Sequence, residues 1–469
     1  MTASPAIAGS ARIDITPGWP VLQGGFGQRT TASTGVLDRL FAKALYLQAG
    51  DERLLLITTD LICIPKPLAQ PVTEALTART GLEPRQICIC ASHTHSGPLP
   101  HDRGGAPGVA EYSALLRDAL VDVGLSALRG AVPCRLGTGV GGVDLFFNRR
   151  TRGKPNVVDP RVGVLTVQDA ADGHYLAVLF GVGCHPVTLG WDNMQLSADF
   201  PGVAQRLIEG ALGADNALFF NSTEGNVIPV TSPDRDALDP RGYCGGGYGD
   251  TLRIGQVIAD EVVRVAQATA GEPRVQLASA REELLLQPRN AEFDLPSAQA
   301  RLAAARTVLA DTLGADFERR ANGFLWALAS QWVVRNDCSE AAMRHLMIAC
   351  CEYLGLSARV AQGRTLRAVA VPVQVWRIND LELLALPGEV LVESGHEWCA
   401  RTGNPKAFII GLANAHLRYL PPAAHFALAD AAVQYDTVTA GLEPKGMEIA
   451  LDAATRMRHA LVASATAPN

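Results

Sequence analysis

The sequence predicts an α/β fold in which a large mixed β-sheet core is flanked by helices. Short apolar runs, several of them β-branched, alternate along 469 residues with longer segments of helical periodicity. Some runs are paired across tight turns, as at 41–48 and 53–59 around Gly50-Asp51. A polar group follows many of these runs directly, which predicts a metal site at the C-terminal ends of strands.

The composition is that of an ordinary globular protein. The chain is 48% hydrophobic and 19% charged, with a formal net charge of −6. This length allows a sizeable core and predicts one domain over 1–469, with a helical insertion at 290–360. The negative charge, without a block of Lys or Arg, argues against nucleic acid as a partner.

The chain carries no recognisable targeting or membrane signal. Residues 1–10 lack a basic region and an apolar stretch, and no run of about 18 apolar residues occurs, so we expect no signal peptide and no transmembrane segment. The ten cysteines form no CxxC pair, and several, such as Cys88 and Cys90, lie in apolar runs. This pattern predicts a reduced, cytoplasmic protein without a disulfide framework. The sequence leaves the oligomeric state open.

The predicted elements alternate along the whole chain. Strands are predicted at 11–17, 41–48, 53–59, 86–91, 135–144, 161–168, 175–183, 217–220, 275–286, 371–378, 381–386 and 407–412. Helices are predicted at 67–80, 110–128, 201–212, 252–268, 295–313 and over much of 316–356. The glycine-rich stretch 242–249 is interpreted as a loop, and the helical insertion is expected to cap the sheet or to form a lid.

The segment Ser92-His93-Thr94-His95-Ser96-Gly97-Pro98 organises the rest of the chain. It follows a predicted buried strand, and in extended backbone residues i and i+2 point to the same side, so both imidazoles would face one cavity. Neutral imidazole is the commonest metal ligand. Taken alone, the pair is equally compatible with two surface histidines on a loop.

The same arrangement recurs at several strand ends. The polar groups concerned are Asp60, His93 with His95, His185, the loop 221–226, Glu389, and Asn414 with Tyr419. Each has an ordinary structural explanation when taken alone; Glu389, for example, would favour a helix N-terminus. Together they would gather imidazoles, a carboxylate and a phenol at one edge of one sheet, a donor set that suits Zn²⁺ above other divalent cations.

At this point the chain resembles the catalytic region of the neutral (alkaline, non-lysosomal) ceramidases over nearly its whole length. The matching motifs are His93-Thr94-His95-Ser96-Gly97-Pro98, Thr59-Asp60-Leu61, Asn148-Arg149, Cys184-His185-Pro186, Leu196-Ser197-Ala198-Asp199, Leu386-Pro387-Gly388-Glu389 and Gly411-Leu412-Ala413-Asn414. The resemblance implies one catalytic Zn²⁺, and the ligands it implies are His93, His185, Glu389 and Tyr419.

The resemblance also implies roles around the metal. His95 would stand beside the metal's water and shuttle a proton, while Arg149 and Tyr435 would face the substrate carbonyl and stabilise the oxyanion. Gly25 lies in a glycine-rich loop where the backbone must bend or approach a neighbour closely. We take Gly25, together with Glu224 and Asn226, as candidate substrate-binding residues.

The chain departs from the ceramidase pattern on the substrate side. The ceramidases carry Asp-Val-Ser-Pro where this chain has Asn226-Val227-Ile228-Pro229, and His416 stands in place of the first Tyr of Asn-x-Tyr-x-x-Tyr. We also expect the protein to lack their β-sandwich domain and their secretion signal. We expect Glu224 to be ionised, to face the pocket and to contact a cationic or hydroxyl-rich part of the substrate. The alternative is a solvated loop glutamate.

These features predict a zinc-dependent hydrolase that cleaves a linear amide (N-acyl) bond with metal-activated water. The substrate is expected to be a small molecule, smaller or more polar than ceramide. The missing serine, without a G-x-S-x-G motif elsewhere, argues against a covalent acyl-enzyme. Two alternatives remain open: an esterase or lactonase that uses the same zinc water, and a relative that binds a metal or ligand without catalysis.

Overall fold

The computed structural model describes residues 3–466 except 27–28, 102–107, 151–155, 232–245, 319, 322–340, 364–365, 429–430 and 432–433. The strands are β1 (Ser4–Asp14), β2 (Gly35–Val36), β3 (Phe41–Ala49), β4 (Glu52–Thr59), β5 (Ile87–Ala91), β6 (Val132–Gly142), β7 (Phe146–Asn148), β8 (Arg161–Asp169), β9 (Tyr175–Val182), β10 (Gln195–Leu196), β11 (Ala217–Asn221), β12 (Val227–Pro229), β13 (Arg274–Val275), β14 (Leu277–Leu286), β15 (Val369–Ile378), β16 (Leu381–Ala385), β17 (Glu389–Val390), β18 (Ala407–Ile410) and β19 (Tyr419–Leu420).

The helices are α1 (Lys66–Thr80), α2 (Val109–Arg129), α3 (Asp199–Leu212), α4 (Tyr248–Ala268), α5 (Leu295–Leu313), α6 (Ala341–Ala361), α7 (Val392–Thr402), α8 (Ala423–Phe426), α9 (Tyr435–Val438) and α10 (Gly446–Thr466). Most of the predicted elements are present with bounds shifted by a few residues. The first strand is the exception, because it begins at Ser4 and not near residue 11. Of the predicted loop 242–249, residues 242–245 lie outside the described residues and 248–249 already belong to α4.

The large sheet has the strand order β11-β9-β8-β6-β1-β3-β4-β5, with β13 also paired to β1. The β4–β5 and β9–β11 pairs are parallel, and the pairs between them are antiparallel. The predicted mixed sheet is therefore confirmed. A second sheet has the order β14-β15-β16-β18, in which the β16–β18 pair is parallel.

The two sheets pack face to face between two outer layers of helices. Along β3, Ala42, Ala44 and Tyr46 belong to the core under α1 and α2, while Leu45 and Leu47 belong to the core between the sheets. The second sheet contributes large side chains to this inner core, among them Trp376, Leu383 and Phe408. On its other face the second sheet packs against α7 and α10 through residues such as Trp398 and Leu451. The layers are thus helices, large sheet, small sheet and helices.

The shape of the large sheet determines how the carboxyl ends of its strands lie relative to one another. Five antiparallel pairings (β3–β4, β1–β3, β1–β6, β6–β8 and β8–β9) separate β5 from β9, so in a flat sheet their carboxyl ends would lie at opposite edges. Neighbouring strands rotate by about 20–25° each, which accumulates to roughly 120–150° over the six steps. The sheet also curls, so that β11 contacts β4 and β5, and the carboxyl ends of β5 and β9 approach each other.

Asn221, the last residue of β11, joins these two strand ends. Its side-chain amide nitrogen donates to the carbonyl oxygens of Ser92, at 2.9 Å, and Cys184, at 3.0 Å. Its side-chain oxygen accepts from the Cys184 amide at 3.2 Å. The segments that carry His93 and His185 consequently lie side by side, although they are 92 positions apart in the sequence.

The helical part of the predicted insertion packs on itself and against the short helix α9. Leu302 and Leu309 of α5 share a hydrophobic cluster with Cys350 and Leu356 of α6, and Val438 of α9 belongs to the same cluster. Residues 322–340 of the predicted helical stretch lie outside the described residues. The single domain and its insertion boundaries stay predictions.

Two further findings bear on the sequence-based expectations. Among the helices that the structure describes, none is long and apolar enough to cross a membrane. The cysteines in the described ranges are free thiols, most of them buried. Burial raises the pKa of Cys88 to about 12, so this thiol behaves as a small apolar side chain in the core between the sheets.

We expect Asn221→Ala to destabilise the fold by about 2–4 kcal/mol, because three buried backbone groups lose their hydrogen-bond partner. The measurement is the free energy of unfolding in urea. Gln256→Ala is the matched control, since this exposed amide on α4 bonds to Asp260 one helical turn away, and it should cost less than about 0.5 kcal/mol. Equal losses in the two variants would contradict the role assigned to Asn221.

Candidate metal centre

His93 and His95 face one cavity, but the backbone that places them is not extended. His93 follows β5 with a φ of 71°, in the left-handed region that a side chain with a Cβ rarely adopts. The expectation of extended backbone is therefore wrong at His93. The two imidazoles nevertheless meet, with 3.3 Å between the Nε2 atoms of His93 and His95.

Backbone carbonyls fix the orientation of the His93 and His185 rings. The Nδ1 of His93 donates to the carbonyl of Ile62 at 2.7 Å, and the Nδ1 of His185 donates to the carbonyl of Glu224 at 2.6 Å. With hydrogen on Nδ1, each Nε2 carries a lone pair that points into the site. Metal-ligating histidines in proteins are held in this way.

Glu389 and Tyr419 reach the site from a small separate ladder. They are paired with each other in the two-stranded parallel sheet of β17 and β19. The Oε2 atom of Glu389 lies 3.4 Å from Nε2 of His93 and 3.3 Å from Nε2 of His185. The Tyr419 hydroxyl lies 3.5 Å from Nε2 of His185. The expectation that all four residues lie at one edge of one sheet is therefore wrong, because they come from separate sheets.

The spacing of these atoms fits a tetrahedral metal ion. Bonds of about 2.0–2.1 Å to Zn²⁺ in a tetrahedron place neighbouring ligand atoms about 3.3–3.4 Å apart. The atoms that face each other are buried acceptors, and within the described residues Oε2 of Glu389 has no hydrogen-bond donor. Such a cluster is stable only with a proton or a cation between its lone pairs. His93, His95 and His185 likewise form a buried group able to hold a metal ion.

Gly25, Phe26 and Arg29 hold His95. A Cβ on Gly25 would lie 2.4 Å from Cγ of His95, and Phe26 packs edge-on against the imidazole with 4.8 Å between ring centroids. Arg29 donates to the backbone carbonyl of His95. Burial, followed by the neighbouring His93 and His185, lowers the pKa of His95 well below its usual value. The surroundings of His95 therefore favour its neutral imidazole form.

Arg149 lies behind Tyr419 and does not line the cavity within the described residues. Its Nη2 donates to the Tyr419 hydroxyl at 3.0 Å, the carbonyl of Gly225 at 2.6 Å and the carboxylate of Asp436 at 3.3 Å. Burial raises the pKa of the Tyr419 phenol, and the Arg149 charge acts in the opposite direction. The structure thus places Arg149 against a candidate ligand and away from the position of a substrate carbonyl that the resemblance implies.

A cavity of about 270 Å³ opens onto the metal centre. Gly25 and Tyr435 line it, and the ring of Tyr435 lies edge-on to that of Tyr419 with 5.6 Å between centroids. Its apolar lining is formed by Ile62, Cys63, Pro65, Leu99, Pro100 and Leu354. Leu354 comes from α6, so the predicted helical insertion forms one wall of the cavity.

The whole chain is similar in structure to neutral ceramidase from Pseudomonas aeruginosa, with a TM-score of 0.69 and 20% sequence identity over 98% of this chain and 74% of that chain. A ceramidase solved in complex with C2 gives a TM-score of 0.69 and 19% identity over 98% of this chain and 76% of that chain. The chain has the neutral ceramidase fold. No family model matches the sequence. The resemblance deduced from the motifs is thus confirmed at the level of the fold.

Within this neutral ceramidase fold, Glu224 lies where the sequence did not lead us to expect it. The residue is fully buried, and neither carboxyl oxygen has a hydrogen-bond partner within the described part of the chain. Burial, together with the nearby Glu389 charge, raises the pKa of Glu224 well above its usual value. Desolvation thus opposes the ionised form that we expected, while the nearby positive charges of His416 and Arg149 favour it. Glu224 is neither solvated nor among the cavity-lining residues described.

Asn226 is also a buried structural residue in this fold. Its side-chain oxygen accepts from the amide of Val392 at 3.0 Å, and its side-chain nitrogen donates to Glu393 at 2.9 Å. The amide thus ties the loop to the first turn of α7. The expected substrate contact is not supported, since the residue is fully buried and both ends of its amide bond to protein. Ile228 next to it packs in an apolar cluster with Phe26 and Tyr435.

His416 and Arg418 line the cavity but were missing from the sequence-based set of site residues. Nε2 of His416 lies 3.6 Å from Oε1 of Glu389, on the side away from the other imidazoles. The departure of His416 from the ceramidase pattern was the available signal, but we had no reason to place it at the metal centre. Arg418 lines the same cavity, and no sequence pattern marks it.

We expect Gly25→Ala to lower the free energy of unfolding by about 2–4 kcal/mol, because the new Cβ would overlap the His95 ring and the backbone has a φ of 93°. Gly173→Ala is the matched control. Its φ is 80°, but nothing lies within 4 Å of the added Cβ, so only the backbone cost of about 1–2 kcal/mol remains. Urea denaturation measures both variants, and equal losses would show that Gly25 does not pack against His95 as described.

Proposed function

We propose that the protein is a zinc-dependent hydrolase that cleaves a linear amide (N-acyl) bond of a small molecule. The observation that carries the proposal is the group of donor atoms from His93, His185, Glu389 and Tyr419, which are spaced 3.3–3.5 Å apart in the pairs that face each other. The neutral ceramidase fold supports the same activity, because the similar structures are named for cleavage of ceramide, an N-acyl amide.

Each residue around the proposed metal centre would have its own role in hydrolysis. His93, His185, Glu389 and Tyr419 would hold the ion, with Arg149 positioning the Tyr419 hydroxyl. Zn²⁺ supplies a Lewis acid that polarises a carbonyl and lowers the pKa of water. His95 would accept a proton and return it to the leaving amine. Tyr435, on the cavity wall, would donate to the developing oxyanion.

His95 also has a second possible role in this proposal. Its Nε2 lies as close to His93 as the Glu389 carboxylate does, and the three histidines form a possible metal-binding group by themselves. The orientation of its ring, set by Gly25 and Phe26, is compatible with a proton shuttle beside the ion. Metal content distinguishes a shuttle from a ligand.

The cavity favours a substrate smaller than ceramide. Its volume of about 270 Å³ lies below the roughly 300–1,000 Å³ of sites that bury a drug-sized ligand, and two long alkyl chains need still more space. Six apolar residues line it beside several polar ones, which suits a short acyl group next to an amide. We therefore infer a short or polar N-acyl amide, with ceramide a poor substrate.

We also infer a cytoplasmic location. The described cysteines are free thiols, and Cys350 and Cys351 are buried neighbours on α6. Proteins of oxidising compartments commonly use their cysteines in disulfides.

Removal of the metal is expected to abolish hydrolysis of a panel of short N-acyl amides, and added Zn²⁺ should restore it. His93→Ala and Glu389→Ala should lose the bound metal, while His174→Ala, a substitution at an exposed histidine, should keep it. The measurements are the metal content of each variant and its rates of hydrolysis of matched amides and esters. Cleavage of esters alone would favour an esterase. Metal binding without any turnover would favour a non-catalytic protein, and full activity after chelation would refute the proposal.

His95→Ala is expected to lower turnover by about 10²–10⁴-fold while metal content stays near that of the unsubstituted protein. The reason is that the variant loses a proton acceptor and keeps the proposed ligands. Metal content and kcat are measured on the same samples. Loss of metal together with activity would make His95 a ligand, and unchanged turnover would leave it a structural histidine.

A further inference from the structure

Arg418 combines an unusual backbone with a side chain at the cavity. Its φ is 59°, in the left-handed region where glycine or asparagine is the less strained residue. In this backbone conformation the carbonyl of Arg418 accepts a hydrogen bond from the amide of Glu389 at 2.9 Å. This bond stabilises the ladder that carries Glu389 and Tyr419. This backbone bond does not require a guanidinium.

The Arg418 side chain is exposed and lines the cavity beside Tyr419. Among the residues that the structure describes, its guanidinium has no carboxylate or carbonyl partner, in contrast to the neighbouring Arg149, which is bonded to Asp436. Arg418 and Tyr435 line the same cavity, so the charge of Arg418 lies at the cavity wall. A guanidinium that stays charged is thus directed at the cavity without an internal counter-ion in the described part of the chain.

The charges of the described cavity lining are unbalanced. Glu389 is the single acidic residue among them, and it faces the imidazoles of the metal centre. His101, His416 and Arg418 are the basic residues outside the His93, His95 and His185 group. A neutral lipid amide offers nothing to pair with Arg418, whereas an anionic substrate does.

We propose that Arg418 binds a carboxylate of the substrate, so that the protein acts on short N-acyl amides that carry a carboxylate. This proposal rests on the proposed amide hydrolysis. A guanidinium matches a carboxylate through two parallel N–H donors, which gives both affinity and orientation. The carboxylate can belong to the amine part, as in an N-acyl amino acid, or to the acyl part, as in the monoamide of a dicarboxylic acid.

The test compares matched substrates with and without the carboxylate. For the amine side these are N-hexanoylglycine and N-methylhexanamide, and for the acyl side glutaryl-p-nitroanilide and butyryl-p-nitroanilide. The unsubstituted protein should prefer the carboxylate member of at least one pair by about 10- to 100-fold in kcat/KM, since a charge-assisted hydrogen bond contributes that much. The pair that shows the preference identifies the part of the substrate that carries the carboxylate.

Arg418→Asn is the decisive variant, because asparagine tolerates a left-handed φ and should leave the fold intact. It should abolish the preference while the rate on the neutral amide stays within about threefold. Arg264→Asn removes the same charge from an exposed site on α4 and should leave the preference unchanged. Arg418→Lys should restore only part of the preference, because an ammonium lacks the planar pair of donors.

A binding measurement separates this proposal from the proposed hydrolysis. Calorimetry with the metal-depleted protein should show that N-hexanoylglycine or glutaryl-p-nitroanilide binds at least tenfold more weakly to Arg418→Asn than to the unsubstituted protein. This result would support carboxylate recognition even if no amide were cleaved. Chelator-sensitive cleavage of both members of each pair at equal rates, or unchanged binding in Arg418→Asn, would overturn the role of Arg418 and leave the proposed hydrolysis intact.

Discussion

The site depends on buried acceptor atoms that face one another. Nε2 of His93, Nε2 of His185 and Oε2 of Glu389 lie 3.3–3.4 Å apart in the pairs that involve Glu389. Backbone carbonyls hold the hydrogens of both imidazoles on Nδ1, so both Nε2 atoms present lone pairs, and within the described residues Oε2 of Glu389 has no hydrogen-bond donor. A protein interior tolerates this arrangement only when a cation or proton compensates it, because an unpaired buried acceptor is costly. The surrounding strands and loops hold these three atoms close together.

Two structural features bring the acceptors to one point. The curling of the twisted large sheet brings the carboxyl ends of β5 and β9 together, and the amide of Asn221 fixes their distance. The parallel β17–β19 ladder then presents Glu389 and Tyr419 as direct partners, with the backbone of Arg418 bonded to it. The site therefore lies where the carboxyl ends of β5 and β9 meet the β17–β19 ladder, and both contribute to its rigidity.

Several buried polar residues near the site hold the ligand residues in position. Arg149 bonds to Tyr419 and Asp436, Asn226 bonds to α7, and the backbone carbonyl of Glu224 orients His185. We had expected Arg149, Asn226 and Glu224 to contact the substrate. A polar residue next to a ligand motif looks the same in the sequence whether its side chain faces the cavity or supports the ligand from behind. Arg418 is the opposite case, because an exposed arginine in a loop carries no local pattern at all.

The sequence by itself determined the mixed α/β fold and most of the strands and helices, whereas the resemblance to the ceramidases implied the ligand set of the candidate metal centre. Local periodicity suffices for the strands and helices, because a strand or helix that buries one face repeats its apolar residues every two to four positions. Only the tertiary structure decided that His93 adopts a left-handed backbone, that Glu389 and Tyr419 come from a separate ladder, and that Glu224 is buried. These outcomes depend on contacts between segments distant in sequence and on the desolvation that packing imposes, and no local pattern encodes either.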